Sequence, residues 1–172
     1  MNRGYIYKLM MITMCLLAFS LLCISQKRVN VTLGIGMPEL LNIGVRYQAN
    51  QTQLGLSVGS LPLKDETIIS ISAETYYHFA GRSQLSTRWP WYVRFGMNYL
   101  RNETKTVLDK YLYANLRVGR DFNISEEIGI NIDIGLTIEV IWDMTIKEPP
   151  GQLFNIDFPI LPGLGFCLFY RI

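Results

Sequence analysis

The sequence predicts an all-β fold in which eight antiparallel strands, connected up and down in chain order, close into a barrel. Three observations predict it. Hydrophobic residues make up 49% of the 172 residues, yet they gather into only one long run, at the N-terminus. Over the rest of the chain apolar and polar residues alternate with a period of two, which puts them on opposite faces of a strand. Turn signals punctuate that alternation at short intervals up to the last residue, the spacing of a sandwich or barrel, and an even strand number favours closure. With 17% charged residues and a net charge of +2, the chain is neither disordered nor a strongly basic nucleic-acid binder.

The N-terminal run has the layout of a cleaved signal peptide. Arg3 and Lys8 form a positive start, residues 9–22 are almost wholly apolar, and Cys23 and Ser25 take the −3 and −1 places of a cut before Gln26. The apolar core is short for a transmembrane helix, which needs about 20 residues. Residues 1–25 are therefore expected to be removed, leaving 26–172 as one barrel domain. Loss of Arg3 and Lys8 leaves fourteen basic and fourteen acidic residues, a net charge of zero. Cys167 is then the lone cysteine, so no internal disulfide holds the exported domain together.

The strands follow in order. Val29, Val31, Leu33 and Ile35 alternate with Asn30, Thr32, Gly34 and Gly36, until Pro38 interrupts. Leu41, Ile43, Val45 and Tyr47 alternate with Asn42, Gly44, Arg46 and Gln48, and residues 49–52 form a tight turn. Leu54, Leu56 and Val58 make a third strand, followed by a polar loop at 61–66. Ile69, Ile71, Ala73, Thr75, Tyr77 and Phe79 oppose Ser70, Ser72, Glu74, Tyr76 and His78. After a connection at 80–88 come Trp91, Val93, Phe95, Met97 and Tyr99, and residues 102–109 read as a charged loop. Leu112, Ala114, Leu116 and Val118 precede a turn at 123–127. The clearest strand is 128–143, where every even residue from Ile128 to Trp142 is apolar; its β-branched content argues against a helix. A turn at 148–151 leads to Leu164, Phe166, Leu168, Tyr170 and Ile172.

The apolar face is expected to point outward, into a bilayer. The opposite face carries many glycines, among them Gly44, Gly96, Gly119, Gly135 and Gly165, which suit a narrow interior. That face also has few of the lysines that coat soluble sheets. Aromatic residues cluster near strand ends on the apolar face, as in an interfacial girdle: Tyr47, Tyr77, Trp91, Tyr99, Trp142 and Tyr170, with Phe79 and Phe122. A closed barrel satisfies its backbone within lipid. A soluble lipocalin-like barrel, apolar inside, is the alternative.

These features together resemble the small outer-membrane β-barrels of the OmpA/OmpX type. The phrases Tyr76-Tyr77-His78-Phe79, Val118-Gly119-Arg120-Asp121-Phe122 and Leu164-Gly165-Phe166-Cys167-Leu168-Phe169-Tyr170-Arg171-Ile172 are most similar to small outer-membrane barrels of Bacteroidota. That resemblance implies an eight-stranded transmembrane barrel in the outer membrane of a Gram-negative cell, in contact with lipid and with the barrel-insertion machinery during assembly. Ile172 stands where such barrels usually end in an aromatic residue, and Tyr170 lies two before it.

Eight strands leave an interior only wide enough for side chains. Parity turns Arg46, Glu74, Arg94, Arg117, Asp133, Glu139 and Arg171 inward. A hairpin symmetric about Ser125 sets Arg117 opposite Asp133, and one about Gln84 sets Glu74 opposite Arg94. Buried charges need partners, so a plug of paired charges is expected. The alternatives are wetted charges or a gated pore.

Catalysis has little support in the sequence. His78, the only histidine, shares a face with Glu74, Ser72 and Ser70 but lies near a strand end on the side of the termini. One His and one Cys on distant strands supply no metal-ligand spacing, and no phosphate-binding glycine loop occurs. No cofactor and no nucleic-acid partner are expected. The four Asn-X-Ser/Thr triplets read as chance, since Asn30 sits within a strand. The even-position residues Phe154, Ile156, Phe158 and Ile160 extend the last hairpin as a candidate surface for an extracellular protein partner, although Pro159 and Pro162 remove ladder donors. The expected role is structural or surface-interacting; the enzymatic alternative is a lipid-modifying barrel.

Overall fold

The computed structural model describes residues 28–62, 66–146 and 159–172. The expected signal peptide, residues 1–25, and the segment carrying Phe154, Ile156 and Phe158 lie outside the described residues. Eight strands follow one another: β1 Val29–Met37, β2 Leu40–Ala49, β3 Thr52–Pro62, β4 Thr67–Ala80, β5 Trp91–Glu103, β6 Val107–Asn123, β7 Ile128–Ile146 and β8 Ile160–Arg171. Each pairs antiparallel with its neighbour in sequence, and β8 pairs back onto β1, so the sheet has no edge along its length. The ladder is staggered. Traced from Asn30 through Arg46, Gly55, Glu74, Gly96, Asn115 and Thr137 to Leu161, it returns to β1 beyond that strand's last residue. Such stagger tilts the strands and fixes which inward side chains meet.

The faces divide as the alternation demands. Leu56 is 68% exposed and its neighbour Ser57 8%; Ile134 is 64% exposed and Asp133 2%. The barrel is apolar outside and polar inside, the reverse of a soluble lipocalin-like barrel. Tyr47, Tyr77, Trp91 and Tyr170 all point outward close to the end where the termini lie, and Tyr99 points outward nearer the other end. Arg120 lies over the rings of both Trp91 and Phe122, with its charge at the rim of the apolar band.

The structure departs from expectation at three places. Residues 102–109 are mostly strand rather than loop: β5 runs to Glu103 and β6 begins at Val107. Beyond the apolar band a charged strand is tolerated, and Arg101 pairs with Glu103 at 2.7 Å and Lys110 with Asp143 at 3.5 Å. Second, the β6–β7 register shifts between Leu112 and Tyr113, which leaves Val140 without a cross-strand partner. Val140 and Ile141 therefore both face outward, and Trp142 leaves the expected aromatic girdle. It sits opposite Tyr111, on the same side as the buried Tyr113, and stacks on the Tyr111 ring. Third, the interruption at Pro38 is a turn that leaves the wall for the interior. The β1–β2 turn curls into the barrel mouth, with Leu40 at φ 63° and both Pro38 and Glu39 buried.

Interior glycines mark where side chains approach the wall most closely. A Cβ at Gly119 would run into the Tyr92 ring and lie 2.7 Å from the Asp133 Cβ. At Gly55 the nearest atoms belong to the side chains of Arg46, Glu74 and Tyr76, none closer than 3.2 Å. Gly119→Leu is expected to lower the unfolding free energy by about 1–3 kcal/mol through overpacking. Gly55→Ala is expected to change it far less. Urea titration of the folded barrel in detergent measures both, and equal losses would contradict the tight fit at Gly119.

Candidate functional site

Buried charges gather in one cluster in the lumen. Arg94, inward on β5, donates to Glu74 on β4, to Glu39 at 2.7 Å and to Asp133 on β7 at 3.2 Å. Arg117, inward on β6, donates to both carboxylate oxygens of Glu39 at 3.0 Å, to Asp133 at 3.1 Å and to the Met37 carbonyl. Tyr76 and Tyr92 complete the cluster, donating their hydroxyls to Glu74 and, at 3.1 Å, to Asp133. Arg46 on β2 lies 4.3 Å above the Tyr76 ring, with Nη2 3.6 Å from the Cys167 sulfur. Arg46, Arg94 and Arg117 thus face Glu39, Glu74 and Asp133, three charges of each sign, all buried.

Both expected ion pairs form, but neither lies straight across a hairpin. Arg117 stands opposite Gly135, and Asp133 opposite Gly119. Arg94 stands opposite Tyr76, and Glu74 opposite Gly96. The hairpins centre on Glu126 and Leu85 rather than Ser125 and Gln84. A shift of one in the centre moves each partner by two, which keeps the face and makes the contact diagonal. Gly163 and Gly165 on β8 leave room for it: a Cβ there would lie 2.7 Å from the Arg117 Nε and 2.5 Å from an Asp133 oxygen.

Of the other predicted lumen residues, Glu139 pairs across the ladder with Tyr113, above the cluster. Arg171 lies at the mouth by the termini, where it donates to the Glu126 carbonyl at 2.7 Å and to Asn123 Oδ1. Glu39, Arg88 and Asp121 join the inward set as well. Arg88 reaches from the 81–90 connection to Asp121 at 2.5 Å and to Gln48 at 2.7 Å, and so closes that end of the lumen. Asp121 shares parity with Arg117 and was legible on that ground. Glu39 and Arg88 sit in turns, where no periodicity marks a direction.

The cluster fills the lumen. The cavity beside Arg46, Asn42, Ser57 and Glu74 has a volume of about 20 Å³, room for one water and for no larger solute. His78 does not meet a serine. Its Nδ1 lies 2.8 Å from the Trp89 carbonyl and its Nε2 3.5 Å from Gln53, whereas Ser70 and Ser72 accept from Asn98 at 2.7 and 2.6 Å. Among the described residues no three His, Cys, Asp or Glu side chains group as metal ligands.

Removing one member strands its partners in a low-dielectric interior. Glu39→Gln is expected to cost about 3–5 kcal/mol of stability. Arg117→Gln should cost a similar amount, and the double variant less than the sum, with a coupling of about 0.5–3 kcal/mol in a double-mutant cycle. Additive losses would contradict the shared cluster.

No protein-family model and no curated protein matches the chain. Among solved structures it is similar to the crystal structure of Neisserial surface protein A (NspA), at 12% sequence identity and a TM-score of 0.49, with 84% of this chain and 94% of that chain covered.

Proposed function

We propose that the chain is a small integral barrel of the bacterial outer membrane, exported through residues 1–25, with a closed lumen and a structural or surface-interaction role rather than a catalytic one. The observation that carries this reading is the inside-out division of the wall. Leu33, Ile43, Leu56, Ile71, Phe95, Leu116, Ile134 and Leu168, drawn from all eight strands, are each at least 42% exposed, while the charges are inside. Water penalises such a surface and hydrocarbon does not. The aromatic row near the termini suits a membrane–water interface. Outer-membrane lipid is the first partner, and the insertion machinery the transient one.

Two features support a non-catalytic role. The buried His78 is bonded to a backbone carbonyl and a glutamine, away from Ser70 and Ser72. The central cluster leaves beside Arg46 a cavity of only about 20 Å³, too small for a substrate. An extracellular protein partner, engaged through the segment carrying Phe154, Ile156 and Phe158, belongs to the same proposal.

Folded protein in the outer-membrane fraction is expected to run at a different gel mobility unboiled than boiled. A water-soluble protein with no such shift would overturn the reading. Leu56→Arg, in the middle of the band, is expected to disfavour membrane insertion by about 2–4 kcal/mol. An unchanged yield of inserted barrel for that variant would contradict a lipid-facing Leu56.

A further inference from the structure

The mouth on the side of the termini is a basin of about 850 Å³, distinct from the central cluster. Residues from every element at that end line it: Arg28 before β1, Gln48 and Asn50 at the β2–β3 turn, Arg88 from the β4–β5 connection, Glu126 from the β6–β7 turn and Arg171 on β8. Hydroxyls of Ser83 and Ser86 add hydrogen-bonding groups to its wall.

Its charge is unbalanced. In the central cluster Arg94 and Arg117 are ion-paired with Glu39, Glu74 and Asp133 while Arg46 lies over the Tyr76 ring, three charges of each sign in all, and Arg88 is matched by Asp121 at 2.5 Å. What remains at the basin is Arg28 and Arg171 against Glu126, a surplus of one positive charge among its lining residues. Arg171 is 7% exposed, and its two bonds run to neutral acceptors, the Glu126 carbonyl and Asn123 Oδ1. Its guanidinium also lies 4.8 Å from the centre of the Phe169 ring, with Arg88 5.4 Å from the same ring. Two guanidiniums thus lie against one aromatic side chain, with Asp121 the one carboxylate bonded to either of them among the described residues. Arg28 is exposed at the rim of the same basin.

We propose that this basin binds an oxyanion, a carboxylate or phosphate group presented from the side of the barrel on which the termini lie. Guanidinium forks match such groups, and the volume is large enough for the end of a small molecule rather than a bare ion. Arg171 and Arg28 supply the charge, and Gln48, Asn50 and the seryl hydroxyls the surrounding polar contacts. The site differs from the central cluster because the ligand, not a side chain of the barrel, completes its neutralisation. Two sources carry this chemistry, a soluble anionic solute and the headgroup of an anionic phospholipid in the adjacent leaflet.

The test uses the whole barrel in a neutral detergent and inorganic phosphate as the probe, with chloride holding ionic strength constant. Phosphate is expected to raise the thermal midpoint saturably, and chloride is not. Arg28→Gln and Arg171→Gln should each weaken the apparent affinity by about tenfold or more, the loss of one charge-assisted contact. Arg101→Gln, at the opposite end, should leave it unchanged. Arg28 is exposed, so its variant keeps the test informative should Arg171→Gln fail to fold. In nanodiscs, a phosphate effect that survives in phosphatidylglycerol identifies a soluble ligand. Stabilisation by phosphatidylglycerol over phosphatidylcholine, lost in Arg28→Gln, identifies the headgroup. Absence of any saturable effect in detergent and in both lipids, or an effect that Arg28→Gln and Arg171→Gln leave intact, would overturn the proposal.

Discussion

A closed wall of eight strands encloses a space too narrow for bulk water, so charges buried at its centre need counter-charges from other side chains. The rest of the molecule is arranged around this constraint. Arg94 and Arg117 stand on adjacent strands within reach of the same two carboxylates, Glu39 and Asp133. One arginine would leave a carboxylate exposed to the low-dielectric interior, and one carboxylate would leave a guanidinium so. The glycines at 163 and 165 follow from the same demand, since any side chain there would displace the guanidinium or its partner. The turn at Pro38 and Glu39 bends inward and supplies the interior with its third negative charge, bonded to Arg94 and Arg117.

The two ends of the lumen are closed in different ways. Toward the far end a short turn delivers a carboxylate to two arginines, and the cluster is balanced. Toward the termini a longer connection delivers an arginine to Asp121, and the balance tips to positive because Arg171 is added. Neutrality in the middle and surplus charge at one mouth divide the interior into a part that stabilises the fold and a part free to engage a ligand. Outside, the division is by depth: apolar residues in the band, Arg120 with Trp91 and Phe122 at one rim, and charged pairs such as Lys110 with Asp143 beyond the other.

The fold was legible because a period of two is a direct consequence of strand geometry, and nothing in this chain competes with it over residues such as 128–138. Parity also carried the inward set Arg46, Glu74, Arg94, Arg117 and Asp133. What it does not carry is register: the face of a residue survives a two-residue slip, so parity turns Asp133 inward without revealing that it lies diagonal to Arg117 rather than opposite it. Trp142 escaped because a single unpaired residue, Val140, inverts parity beyond it, and no composition signal distinguishes that valine from its neighbours. Glu39 and Arg88 escaped because turns have no period. Their roles come from interior charge balance, a property of all eight strands at once.

The central claim is that the apolar face of the wall meets hydrocarbon. Spin labels placed singly at Ile130, Ile132, Ile134, Leu136 and Ile138, in a Cys167→Ser background within lipid vesicles, test it most directly. Ile130, Ile132, Ile134, Leu136 and Ile138 lie on one face of β7, paired to β6 and β8 on either side. The account predicts high collision rates with dissolved oxygen at all five, and exclusion of a water-soluble nickel reagent that is strongest at the middle positions and weaker toward both ends. Free access of the nickel reagent to a label at Ile134 would contradict it.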